Sequence, residues 1–179
     1  MLRILLQETY AIEDLLKYAP TEIYQTGNKT HYKLFNDFTL SNSIDWEVSA
    51  DLKTVRGFLC LTDWENAETL STDTLTRYIG IGSNDASSGN PVKLCALGFS
   101  PTVTDGTIWN TNGGAYGSDY INVKVKKVGN VYSFYFNNTL QASTTSTSMS
   151  TYSPLALYIR FGSRSSPNAY IKNIKVKAL

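Results

Sequence analysis

The chain has 179 residues, of which 42% are hydrophobic and 17% charged, with a formal net charge of +1. That length holds one sizeable core and barely two, and the composition excludes an intrinsically disordered chain. The near-zero net charge excludes a general electrostatic pull toward nucleic acid or an anionic membrane.

The opening MLRILLQETYAIEDLL does not read as a secretory signal. Its apolar run is cut at Gln7-Glu8 and no small-residue cleavage site follows. No stretch reaches the length of a membrane span, so no membrane insertion is expected. Residues 11–20 (AIEDLLKYAP) put Ile12, Leu15 and Leu16 along one side of a helix that stops at Pro20. A strand over 3–6 with a turn at Glu13-Asp14 fits the same residues, and both readings stay open.

From Tyr32 onward the pattern is strand, broken by clusters of Gly, Asn, Asp, Ser and Pro. The strongest runs are 44–52, 58–62, 78–82, 92–99, 120–128, 131–136, 155–161 and 170–176. Cys60 and Cys95 lie inside such runs and are expected to be buried free thiols. Asn28-Lys-Thr and Asn137-Asn-Thr match a glycosylation acceptor, a triplet that a chain rich in Asn, Ser and Thr produces by chance. The Ser/Thr-rich run 143–153 reads as a loop, too short to separate domains. The expectation is one domain over 1–179, with 1–30 packing on it or extending from it.

Residues 119–144 carry the clearest register. With Gly129-Asn130 as a two-residue hairpin loop, Val128 faces Val131, Val125 faces Phe134 and Val123 faces Phe136. Lys124 then faces Tyr135 and Lys126 faces Ser133. One face is expected to be apolar and the other polar or amphipathic, and a slip of one residue would mix them. Leu140 falls on the Tyr135 side, so 139–144 reads as a short edge segment or a crossover. In 155–161, Leu155, Leu157, Ile159 and Phe161 alternate with Ala156, Tyr158 and Arg160. In 78–82, Ile79 and Ile81 alternate with Tyr78, Gly80 and Gly82. Half-buried antiparallel strands without helices to cover them predict an all-β fold, two sheets packed face to face as a jelly-roll sandwich.

DWEVSADLK (45–53), YIGIGSND (78–85), INVKVKKVGNVYSFYFNNTL (121–140) and YIKNIKVKAL (170–179) together resemble the concanavalin A-like, laminin-G-like lectin/glucanase sandwiches. The resemblance covers about residues 40–179 and is a pattern of hydrophobicity and turns. It implies two antiparallel sheets, one concave, with the terminal strands side by side. It also implies ligand sites, often for carbohydrate, on the concave face or in the rim loops. The Tyr/Ser/Thr/Asn-rich, low-charge style also looks like an appendage domain of a virus. Such a domain is expected at the virion surface or in the cytoplasm, and outside a cell only as part of a larger particle.

Three kinds of site are legible. The glucanase branch of that superfamily carries carboxylates alternating along one strand, one to attack a sugar and one to protonate the leaving oxygen. Asp45-Trp-Glu47 and Asp63-Trp-Glu65 approach this pattern without completing a triplet, and a solvated acidic turn is the plainer reading. The lone His31 reads as a surface residue. Oxygen-rich stretches at 63–66 and 83–90 suit Ca²⁺ chemically but show no fixed ligand spacing, and turns have the same composition. No cofactor is therefore assigned.

The third kind is a sugar-binding surface. Trp109 and Trp64 fall in segments of loop character, with Tyr116, Asn112 and Asp119 near the first and Asp63 beside the second. An exposed aromatic stacks on a pyranose while amides and carboxylates bond its hydroxyls. Either Trp also fits a place under a loop, closing the sandwich, and for Trp64 that is the plainer reading, whereas Trp46 reads as core. An aromatic contact adds about 0.5–1.5 kcal/mol beyond burial, and a millimolar complex needs about 4 kcal/mol. Useful attachment to a cell-surface glycan or polysaccharide then needs several copies, so a homo-oligomer is expected. A glycan-cleaving enzyme using Asp63 and Glu65, or a ligand-free structural domain of a tail, fibre or capsid, are the alternatives.

Overall fold

The computed structural model describes residues 15–19, 23–25, 31–35, 38–53, 57–62, 78–85, 91–98, 107–112, 119–150, 155–161 and 169–179. The strands among them are β1 (Leu15–Ala19), β2 (Ile23–Gln25), β3 (His31–Lys33), β4 (Trp46–Lys53), β5 (Gly57–Thr62), β6 (Tyr78–Asp85) and β7 (Pro91–Gly98). They continue with β8 (Thr107–Asn112), β9 (Ile121–Val128), β10 (Val131–Phe136), β11 (Thr139–Thr145), β12 (Ala156–Phe161) and β13 (Ala169–Ala178). Among the described residues one four-residue helix, α1 (Thr147–Ser150), stands between β11 and β12.

The strands form two antiparallel sheets. The first has the order β1-β13-β4-β9-β10-β11, with β2 also paired to β13, and the second β3-β12-β5-β6-β7-β8. One apolar cluster joins them. It draws Val48, Val125, Phe134 and Val176 from the first sheet and Leu59, Leu61, Ile79, Ile81 and Leu157 from the second, all fully buried. This is the expected two-sheet sandwich, with β1 and β13 side by side near the two termini. Leu40 and Leu155 close one margin by exchanging backbone hydrogen bonds of 2.7 and 2.8 Å.

The register read from the hairpin holds at every position. Val128, Lys126, Val125, Lys124 and Val123 face Val131, Ser133, Phe134, Tyr135 and Phe136. Gly129 has φ +56° and is the positive-φ residue of its turn, matching a type II′ loop with Gly first. Asn137 (φ 47°) and Asn138 (φ 62°) make the next turn, where two left-handed residues in succession define type I′. The third arm is β11, an edge strand. A bulge between Phe134 and Tyr135 brings Leu140 opposite Tyr135, where it stays exposed.

The clean division of faces breaks near the loop. By alternation Lys127 belongs to the inner row between Trp46 and Tyr132, and it is buried there. Val128 and Val131 fall on the outer face and are exposed. Lys127 is tolerated because its stem lies along the apolar interior while its Nζ donates to the Ile44 carbonyl at 2.9 Å.

Of the two readings left open for the N-terminal segment, Leu15–Ala19 is strand and not helix, because the edge of β13 offers it backbone partners that override a short helical pattern; residues 1–14 lie outside the described residues. Two further expectations are corrected. The segment holding Trp109 is the edge strand β8 rather than loop, paired along its length with β7. The Ser/Thr-rich run is not all loop. Its first residues complete β11, and α1, whose Met149 N–H bonds the Ser146 hydroxyl as an N-cap, inserts Met149 into the core. Cys60 is a buried free thiol as expected, whereas the side chain of Cys95 lies outside the description.

Where the inner row reaches the end of the sandwich, a buried amide gathers three elements. Asn42 Nδ2 donates to the Met149 carbonyl at 2.6 Å and to the Tyr132 hydroxyl at 3.2 Å. Its Oδ1 accepts from Trp46 Nε1 at 3.1 Å. Trp46 and Tyr132 meet edge to face with centroids 6.3 Å apart, an arrangement aromatic rings favour. Burial pushes the Tyr132 phenol above its ordinary value, and the Asn42 bond opposes this. Replacing Asn42 by Ala strands an indole N–H and a carbonyl inside the protein. We expect Asn42→Ala to cost about 2–4 kcal/mol in urea unfolding, and a loss below about 1 kcal/mol would show that the amide is replaceable.

Candidate functional site

Alternation and register decide which residues each sheet offers to solvent. On the first sheet, Glu47, Ser49, Asp51 and Lys53 of β4 alternate with the buried Trp46, Val48, Ala50 and Leu52. Their neighbours in register are Lys177, Lys175, Lys172 and Tyr170 on β13, and Lys126, Lys124 and Asn122 on β9 for the first three. All of these are half-buried.

The carboxylates here are the described ones nearest to the alternating pattern. Asp45 accepts from the Gly129 N–H at 2.7 Å and lies 3.7 Å from Lys127 Nζ. Glu47 stands 4.0 Å from Lys124 Nζ and between Lys177 and Lys126 in register. Asp51 accepts from Asn122 Nδ2 at 3.0 Å and Asn173 Nδ2 at 2.7 Å. Asn173 has φ 51° and occupies the bulge between Lys172 and Lys175, so Asp51 ties that bulge to β9. Each carboxylate is engaged as an acceptor or ion-pair partner, holding the turn, the lysine rows and the bulge.

The second sheet is different. Cys60 and Thr62 alternate away from the core residues Leu59 and Leu61, yet both are fully buried, so β5 is covered on both sides. Ile79 and Ile81 of β6 enter the core, and the alternating Gly80 and Gly82 are buried as well. The positions of β6 that alternate with the core residues are Tyr78, Gly80, Gly82 and Asn84, without a carboxylate among them.

The sequence-predicted residues distribute as follows. Trp109 stands opposite Cys95, which stands opposite Ile81. Asn112 stands opposite Val92 and through it Asn84, the alternate row. Their three-residue spacing on a strand thus places them on opposite registers. Asp119 is exposed just before β9, on the other sheet from β8. Trp64, Asp63, Glu65 and Tyr116 lie outside the described residues. His31 is in edge strand β3, opposite Arg160. Of the 83–90 stretch, Ser83, Asn84 and Asp85 are strand rather than loop. Among the described residues no group of three or more His, Cys, Asp or Glu is placed to hold a metal ion.

Sequence reasoning missed the concentration of lysine and tyrosine on the first sheet. Lys172 Nζ lies 3.9 Å from the Tyr120 ring centroid, Lys124 4.9 Å from Tyr135, Lys53 5.4 Å from Tyr170 and Lys175 5.9 Å from Tyr18. The signal was present as "I-K-N-I-K-V-K" and "V-K-V-K-K", but these runs form one surface only when β13 and β9 are known to flank β4.

No protein-family model matches the chain, and no curated protein is similar to it in sequence. Solved structures are similar in fold. A GH16 protein of the Bacteroides ovatus mixed-linkage glucan PUL, in complex with G4G4G3G product, superposes with a TM-score of 0.63 at 10% identity, covering 89% of this chain and 81% of its own. The carbohydrate-binding module CBM66 from Bacillus subtilis gives 0.52 at 11%, covering 86% and 94%. The Emp47p carbohydrate recognition domain gives 0.57 at 10%, covering 95% and 99%. The chain therefore has the concanavalin A-like jelly-roll fold, which glucanases, binding modules and lectins share.

The bonds to Asp51 give a direct test of the structural role assigned to the β4 carboxylates. Asp51→Ala is expected to lose about 1–3 kcal/mol in thermal unfolding, with faster hydrogen exchange at Asn122 and Ile174. An unchanged melting curve would return this carboxylate to the list of candidate ligand groups.

Proposed function

We propose that this domain recognises a glycan without cleaving it. The observation that carries the reading is the engagement of Asp45, Glu47 and Asp51 by backbone, amide and lysine groups, on a fold whose neighbours are named for glucan and carbohydrate. Retaining and inverting glycosidases alike need two carboxyl groups facing one sugar bond; recognition needs only amides, hydroxyls and rings.

Contact is assigned to the β8 edge and the segment after it: Asn112, Tyr116 and Asp119, with Trp64 and Asp63 as a second group. Trp109 of β8 is assigned to the same contact group. Sites of this kind reach about millimolar affinity, so we further propose display in several copies, as on a virus appendage that attaches to its host.

The test is a glycan array probed with multimerised protein, with and without chelator, beside Asn112→Ala and Trp109→Ala. Binding at least about tenfold weaker for Asn112→Ala and Trp109→Ala at unchanged melting temperatures supports the site. An array blank for the wild type removes the reading and favours a structural domain. Reducing ends released from a β-glucan, and lost in Glu65→Gln, make the protein an enzyme instead.

A further inference from the structure

The net charge of +1 conceals a segregation. Across the outward rows of β4, β9, β10, β11 and β13 stand the lysines Lys53, Lys124, Lys126, Lys172, Lys175 and Lys177 against two carboxylates, Glu47 and Asp51. These strands contain no arginine. The rows run straight across the sheet. Tyr18, Lys175, Ser49, Lys124 and Tyr135 face one another in succession on β1, β13, β4, β9 and β10. With strands about 4.8 Å apart, that row spans about 19 Å from ring to ring, with a small residue at its centre. Beside it runs Lys177, Glu47, Lys126 and Ser133.

We propose that this face is a second binding surface, for an acidic polysaccharide that carries carboxylate or sulfate groups. Charge complementarity selects a polyanion: the outward rows of these strands carry six lysines and two carboxylates on one half-buried surface. Three features select a sugar chain among polyanions. A face five strands and about 19 Å across is broader than the roughly 12 Å major groove of a duplex. The tyrosine rings have ammonium groups over their faces, which leaves their edges and hydroxyls to a ligand instead of a stacking platform for bases. Serines and amides (Ser49, Ser133, Asn122) interleave with the lysines and offer partners for sugar hydroxyls. Its lysines lie on the sheet that lacks β8 and are not among the residues assigned to the site proposed above, so their substitution tests this surface separately.

Affinity electrophoresis and calorimetry with the full chain test it. The probes are polygalacturonate, dextran sulfate, neutral dextran, a single-stranded oligothymidylate, and vesicles containing phosphatidylserine. Binding to polygalacturonate or dextran sulfate and not to neutral dextran is expected, weakening at least about tenfold as salt rises from about 50 to 200 mM. Lys124→Gln and Lys175→Gln should each weaken it about fivefold with melting temperatures within a few degrees of wild type. Lys126→Gln provides the same readout should Lys124→Gln fail to fold. Equal or tighter binding to the oligonucleotide or the vesicles, binding insensitive to these substitutions, or no binding to either acidic polymer overturns the proposal.

Discussion

One constraint organises the molecule: the pairing of β4, β9 and β10, in which each residue's face is decided by its partner across the strand. Val176, Val48, Val125, Phe134 and Ala142 form a single row across five strands, buried throughout. The adjacent row, one residue along, is Lys175, Ser49, Lys124 and Tyr135. A one-residue slip anywhere in this set would drive lysines between the sheets, where each charge would need a partner it does not have. The sandwich and the charged outer surface are therefore two consequences of the same register.

Two devices hold that register at its ends. Near the Gly129-Asn130 loop, Asn42 satisfies an indole, a phenol and a carbonyl together, and Lys127 carries a charge in from the apolar row to a backbone oxygen. Buried polar groups of this kind stabilise only when every partner is present, and for that reason they single out one arrangement. Near the other end, Asp51 bonds two asparagine amides and fixes the β13 bulge, so that Lys172 and Lys175 both remain on the outer face although they lie three positions apart. Without the bulge, alternation would send one of them inward.

Much of this was legible in the sequence, because it rests on local alternation and turn chemistry. Gly129-Asn130 and Asn137-Asn138 are positions where left-handed backbone is needed, and the pairs on either side of the first followed by counting. The buried place of Trp46 and the single sandwich followed from the same alternation. What escaped depends on pairing between segments distant in the chain. Leu15–Ala19 becomes a strand only because β13 presents an open edge. Thr107–Asn112 looks loop-like, being polar and bounded by glycine, until β7 pairs with it. The candidate sites suffered most, since strand order decides which residues share a face. Trp109 and Asn112 are neighbours in sequence yet stand on opposite registers, whereas Lys124 and Lys175, 51 positions apart in the numbering, flank one serine.

The resulting domain has two unlike sheets: one covered on both sides at β5, the other open and rich in lysine and tyrosine. The account depends above all on β9 lying between β4 and β10 in the stated register. Nuclear Overhauser contacts in solution measure this directly. The account predicts Val125 close to both Val48 and Phe134, and Lys124 close to Ser49 and Tyr135. Contacts displaced by one residue, such as Lys124 beside Phe134, would contradict it.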